Sequence, residues 1–220
     1  MDNLNIKYIG TIGSRLYGLQ REDSDHDMLG FYCLYKDDIL FNSNVTIMQP
    51  KKFGDLRVFE FKYFINRCLK MDQLFLMSLF SNEEQVILNT SEGLLIYNNR
   101  DRFLSLLGLS RFKSYSSSMI LKLSNNETNR ARMLREAIRL NFGTLEILET
   151  ETWTPQLDGW RKDFLIDIQN YKIEDSISIK FAKEQELKII DREKTTKLRS
   201  LPERNIIRSL ITSVLNRDRL

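Results

Sequence analysis

The 27 residues from Tyr8 to Leu34, "YIGTIGSRLYGLQREDSDHDMLGFYCL", constrain the fold more than any other part of the chain. A β-rich run at Ile6–Gly10 enters a glycine-serine break. "SRLYGL" has room for one or two helical turns, and "QREDSD" reads as a polar loop. A second apolar run, "HDMLGFYCLY", follows with the look of a strand. Gly30 inside that run marks a bulge or a close approach of another backbone. The chain must therefore place two strands around a very short helix and a charged loop.

The acidic residues at the start of the second run carry the chemistry. In a strand, residues two apart point to the same side. Asp25 and Asp27 then project together about 7 Å apart. Two like charges at that distance repel by roughly 2 kcal/mol at an effective dielectric near 20. A purely structural strand gains nothing that offsets this cost, whereas a divalent cation removes it. Oxygen-only donors suit a hard cation such as Mg²⁺ (or Mn²⁺), which keeps waters and bridges to substrate phosphates. Gly13 and Ser14 end a strand and open a helix, so they present free backbone N–H groups, a positive dipole end and a hydroxyl to an anion. Cradle and carboxylates together describe a site for a metal-chelated nucleoside triphosphate. A third carboxylate would complete two-metal chemistry. Asp55, opening the strand-like "DLRVFE", is the first choice and Glu60 at its end the second.

Other motifs fail on these residues. A calcium loop starting at Asp23 needs glycine and glutamate where Met28 and Leu34 stand. "GTIGSRLYG" lacks the Gly-Lys-Ser/Thr of a P-loop and the spacing of a dinucleotide fingerprint. His26 is the one histidine, and strand alternation turns it away from its aspartate neighbours. A structural role is expected for it, and a Ser-His-Asp or Cys-His mechanism is not expected.

From Phe61 the apolar period becomes helical. Phe61, Phe64, Ile65, Cys68 and Leu69 share a stripe, and Asp72 is placed to cap a following helix through "QLFLMSLF". Phe59, Phe61, Tyr63 and Phe64 read as core. "DDIL" and "NVTIMQ" read as short elements around a turn. Beyond residue 82 the pattern is mostly helix. In "NRARMLREAIRLNFGTLEILE", Leu134, Ile138, Phe142, Leu145 and Leu148 share one face, with Gly143 as a point of interruption. Asp191 to Glu203 reads as irregular, and Pro202 starts a last helix. The expected division is residues 1–90, the core carrying the site, and 91–220, a helical domain.

A hydrophobic fraction of 42% and a charged fraction of 29% are those of a soluble globular chain. No apolar run is long enough to span a bilayer, and Met1-Asp2-Asn3 opens no export signal. Cys33 and Cys68 lack metal-ligand spacing and read as buried thiols of a cytoplasmic protein. Residues 1–100 carry a net charge of −2 and residues 101–220 a net +5, an asymmetry that favours a polyanion on the second half. Arg132, Arg135 and Arg139 sit off the apolar stripe. They form either a contact strip for a triphosphate or RNA backbone or a solvated face partnered by Glu127 and Glu136.

Gly-Ser followed by Asp-x-Asp resembles the nucleotidyltransferase signature of the DNA polymerase beta superfamily. The fuller string, carried by Gly13, Ser14, Arg15, Tyr17, Gly18, Leu19, Ser24, Asp25, Asp27 and Gly30, is similar to a narrower group of predicted nucleotidyltransferases, some associated with RNA repair operons. The resemblance extends along nearly the whole chain. It implies Asp55 as the third carboxylate, Lys62 as a helix lysine, and "LRSLPE" as a Leu-Pro element before the last helix. Departures are Asp72-Gln73 in place of Asn-Pro and Met77 in place of a glutamate. A helical Lys…His…Arg signature is reduced to Thr128, Arg132 and Arg135, and only the arginine matches.

The expected fold is α+β: a small mixed β-sheet nucleotidyltransferase core with flanking helices, then a mostly α-helical C-terminal region. The expected activity is metal-dependent transfer of a nucleoside monophosphate to a hydroxyl, an RNA 3′ end being favoured. Asp25, Asp27 and Asp55 are the expected catalytic metal ligands. Gly13, Ser14, Arg15, Tyr17, Lys62 and Arg135 are expected at the nucleotide, with Arg132 and Arg139 toward the acceptor. Arg15 could instead anchor its loop, and Tyr17 could fill the core. A protein hydroxyl as acceptor, and a non-catalytic nucleotide or RNA binder, remain as alternatives.

Overall fold

The computed structural model describes residues 5–34, 47–49, 55–125 and 129–217. The chain divides into two compact units, Met1–Phe103 with Pro202–Leu220, and Leu104–Leu201. The sequence pattern divides it at residue 90 and gives the last helix to the second part. In the structure that helix belongs to the first unit.

The first unit is built on a five-stranded mixed sheet. Its strands are β1 (Asn5–Thr11), β2 (Met28–Cys33), β3 (Ile47–Gln49), β4 (Leu56–Glu60) and β5 (Val86–Asn89), in the order β3-β4-β2-β1-β5. β1 pairs antiparallel with β2 and β5, β3 pairs antiparallel with β4, and β2 and β4 run parallel. The short helix α1 (Gly13–Tyr17) connects to the loop before β2. α2 (Phe61–Leu69) and α3 (Gln73–Leu79) follow β4, and α4 (Ser91–Tyr97) follows β5. β5 falls where the sequence read mostly as helix. "DDIL" lies outside the described residues.

The core forms around Phe31, whose ring meets Tyr8 at 5.9 Å, Phe61 at 5.1 Å and Phe64 at 5.0 Å between centroids. Of the predicted stripe of α2, Phe61, Phe64, Ile65 and Cys68 are buried, and Leu69 at the helix end is half-buried. Tyr63, expected in the core, is exposed on the outer side and stacks on Phe59 at 5.5 Å. Asp72 caps α3 by accepting the Leu74 N–H at 3.2 Å. Buried serines tie α3 to the sheet. The Ser78 hydroxyl donates to the Leu29 carbonyl at 2.5 Å, and that of Ser81 to the Thr11 carbonyl at 2.8 Å. Gly30 is the close-approach point expected, since a Cβ there would lie 2.0 Å from the Tyr8 carbonyl oxygen.

The second unit contains α5 (Leu106–Leu121), α6 (Arg130–Thr150), α7 (Gly159–Gln169) and α8 (Asp175–Glu193). α6 is continuous through Gly143, against which the Trp153 indole packs. α5, α7 and α8 all pack on α6, so it is buried on several sides rather than on one stripe. α9 (Arg204–Arg217) begins two residues past Pro202 and returns to the first unit.

Candidate active site

The glycine-serine turn and the acidic loop meet at one end of the sheet. Gly13 has φ of 71°, in the left-handed region that favours glycine. A Cβ built there would lie 3.1 Å from Oδ2 of Asp27, so the half-buried carboxylate sits directly against the turn. The Ser14 hydroxyl has no hydrogen-bond partner among the described residues. The first N–H groups of α1 lie outside its own hydrogen-bond ladder.

The carboxylates occupy the extended approach to β2 rather than the strand itself, which starts at Met28. Both neighbouring ladders nevertheless continue into this approach. Ile12 N–H donates to the Asp27 carbonyl at 2.9 Å, and Met28 N–H donates to the Asp55 carbonyl at 3.0 Å. Met28 pairs with Leu56 in the parallel register, so Asp27 and Asp55 are cross-strand neighbours one residue earlier. Glu60 pairs with Tyr32 at the far end of β4, and its carboxylate caps α2 by accepting the Tyr63 N–H at 3.0 Å. Of the two candidates for third carboxylate, Asp55 is therefore the one beside Asp27.

The donors suit a hard divalent cation in type and in backbone register. Their side chains are not drawn together: among the described residues no three His, Cys, Asp or Glu side chains form a group that could hold a metal. Asp55 faces Arg57, with Oδ2 3.9 Å from the guanidinium, and both side chains are partly exposed. A cation shared with Asp27 would require Asp55 to turn from Arg57.

Arg15 serves the loop. Its guanidinium donates to the Ser24 carbonyl at 2.7 Å and to the Asp25 carbonyl at 3.3 Å, fixing the backbone that carries the exposed Asp25. Tyr17, expected at the nucleotide, is 3% exposed, and its hydroxyl donates to Met77 Sδ beneath the turn. Met77 replaces the glutamate expected there and supplies a weaker acceptor. Lys62 is exposed in the first turn of α2. It follows the end of β4 opposite Asp55, about 17 Å along a five-residue strand, so the strand separates it from the carboxylates.

The arginine strip is not a single surface. Arg139 is 3% exposed and gives Glu136 two hydrogen bonds, at 2.6 and 3.0 Å. Arg135 is half-buried and bonds to Gln169 and Glu136. Burial works to raise the Glu136 pKa, but the two arginines outweigh it and hold it below the ordinary carboxylate value. Only Arg132 of the three is exposed. The surface reading of Arg139 rests on α6 having one apolar face, whereas helices surround it. Thr128 lies outside the described residues.

Gln85 carries no signal in the sequence for the part it plays. Its amide donates to the Arg15 and Leu16 carbonyls at 3.2 and 3.3 Å and so holds the end of α1. Asn82 and Gln85 form a reciprocal capping box, a local signal legible in "NEEQ". Nothing local links it to a turn 70 residues earlier.

His26 has the structural role expected. The one Thr11 hydroxyl proton goes to the Gln85 carbonyl at 2.8 Å, so toward His26 Nε2, 3.0 Å away, Thr11 accepts and Nε2 carries the proton. Burial, then the charge of Arg15, lower the His26 pKa, against the opposing pull of Asp27. As pH falls, the unfolded chain therefore takes this proton before the folded one. The contribution is complete above an ordinary value of about 6.5 and is lost below it, toward the folded pKa. Thermal melts in metal-free buffer are expected to show a falling Tm below about pH 6.5, with a shallower decline in His26→Gln. Identical slopes for the two proteins would contradict this account of His26.

A mixed sheet, a glycine-serine turn after its first strand and aspartates on adjoining strand ends define a protein of the DNA polymerase beta class. The chain belongs to the RNA repair pathway DNA polymerase beta family, RlaP, whose family model matches residues 1–201. No curated protein matches the chain. Among the described residues no helix is long and apolar enough to cross a membrane.

Proposed function

We propose that the protein transfers a nucleoside monophosphate from a nucleoside triphosphate to a hydroxyl, with an RNA 3′ end as acceptor and Mg²⁺ or Mn²⁺ required. The observation that carries this reading is the Asp27 carboxylate seated against Gly13, with Asp55 next to it across the parallel strand pair. The family membership supports the RNA context. The buried cysteines Cys33 and Cys68, which form no disulfide with each other, suit a reducing compartment, and we place the protein in the cytoplasm.

In this reading Asp25, Asp27 and Asp55 hold the cations. The backbone N–H groups at Gly13 and Ser14, with the Ser14 hydroxyl, receive the β- and γ-phosphates. Arg15 and Gln85 keep loop and turn in register, so the phosphates meet Asp27 at the turn, and only Asp55 must turn from Arg57 to join the cations. Bound divalent cations would lower the pKa of the attacking hydroxyl and neutralise charge on the departing pyrophosphate. The acceptor oxygen bonds to the α-phosphorus as the bond from that phosphorus to the bridging oxygen of the leaving pyrophosphate breaks.

The test is incubation with each of the four ribonucleoside triphosphates, labelled at the α-phosphate, together with total RNA and total protein. Label is expected at RNA 3′ ends, with chelator abolishing it. Label on protein instead would overturn the RNA acceptor, and equal rates with and without chelator would overturn the metal requirement.

A further inference from the structure

The second unit holds a concave site of its own, away from the acidic loop in sequence and in unit. α6, α7 and α8 enclose an open cavity of about 550 Å³. Three aromatic rings line it. Trp160 meets Phe142 edge-on at 5.5 Å and Phe181 at 6.3 Å, yet remains 59% exposed. The polar lining is unusual. Gln185 is 4% exposed, lines the cavity, and its side-chain amide makes no hydrogen bond among the described residues. The amide atoms are not sealed from the cavity, so a ligand presenting a complementary hydrogen-bonding edge can meet them. One cation on the wall, the exposed Lys188, makes no ion pair among the described residues, whereas Arg161, its guanidinium over Phe142 at 5.3 Å, interacts with the Glu146 carboxylate. Arg192 and Asp191 are satisfied by Glu149 and Lys194.

We propose that this cavity binds an unpaired nucleotide of single-stranded RNA. A flat aromatic face left half open stacks a base, an amide open to the cavity reads its hydrogen-bonding edge, and the Lys188 ammonium meets a backbone phosphate. An apolar ligand would leave the Gln185 amide and the Lys188 ammonium unused. A duplex would keep its base faces stacked and could not enter. The unit's charge agrees with a polyanion, with 17 Lys and Arg against 14 Asp and Glu over residues 104–201. None of the three aspartates lines the cavity, so its occupancy can be measured in a variant that lacks one of them.

Binding is measured by fluorescence anisotropy, using full-length protein and an unstructured oligoribonucleotide of about a dozen residues. The Asp25→Asn variant serves as host so that no turnover interferes. Trp160→Ala, at an exposed position that leaves the fold intact, is expected to weaken binding about tenfold, while Trp160→Phe stays within about threefold. Lys188→Glu is expected to weaken it as well and to make the salt dependence shallower by about one unit of slope. Trp160→Ala affinity within about twofold of the host, or competition by a free mononucleotide as effective as by the oligonucleotide, would overturn the proposal. Loss of transfer with retained binding in the Asp25→Asn host separates this site from the proposed active site.

Discussion

Asp25→Ala and Asp27→Asn are each expected to lower nucleotidyl transfer to below about 1% of the wild-type rate while leaving the protein folded. Each 1.36 kcal/mol of lost transition-state stabilisation is about tenfold in rate, and bound metal ions supply several kcal/mol, so losing a ligand accounts for about a hundredfold or more. The fold is expected to tolerate both changes. Asp25 is exposed and lies in an irregular loop held by Arg15 through backbone carbonyls, not through its carboxylate. The Asp27→Asn change would keep the volume of the side chain seated against Gly13. Rates with labelled triphosphate, measured beside thermal melts, check both halves of the expectation. Retention of more than about a tenth of the rate by either variant would remove the carboxylates from the chemistry.

Gly13→Val is the second large effect. The position has φ of 71°, which costs a residue with a side chain about 1–2 kcal/mol, and a branched one toward the upper end. The new Cβ would also start 3.1 Å from Asp27 Oδ2, so either the turn or the carboxylate must move. Displacing a catalytic group by about 1 Å can cost about a hundredfold in rate. The expected outcome is a modest drop in Tm with a disproportionate loss of activity. Gly18→Ala is the control. Gly18 has φ of 70°, at the opposite end of α1 from Gly13, so that variant places similar backbone strain at the other end of the helix. It should lose stability but keep most of its activity. Equal activity losses in the two variants would mean that strain alone, and not the seat of Asp27, is at work.

The site was legible where its signals are local. The Gly13-Ser14 turn and the alternate aspartates lie within fifteen residues, and Asp55 could be placed because a strand pattern followed it directly. What the sequence left open depended on contacts between distant segments. Asp55 was the first choice and Glu60 the second, and only the parallel register sets one beside Asp27 and the other at the far end of β4. Tyr17 belongs to the motif, but whether it faced ligand or core depended on Met77, sixty residues later. β5 escaped notice because four residues with three exposed side chains carry no alternation to read. The surface reading of Arg139 failed because periodicity reports an apolar face, not how many neighbours a helix has. The return of α9 to the first unit is likewise a tertiary matter that local pattern cannot express.

The central claim is that Asp25, Asp27 and Asp55 form one cation site beside the glycine-serine turn. Titrating Mn²⁺ into the protein with a non-hydrolysable nucleoside triphosphate, followed by electron paramagnetic resonance, tests it most directly. The account predicts saturable Mn²⁺ binding that weakens about tenfold or more in each of Asp25→Asn, Asp27→Asn and Asp55→Asn, and that is unchanged in Glu60→Gln. Affinities equal to wild type in all three aspartate variants would contradict it.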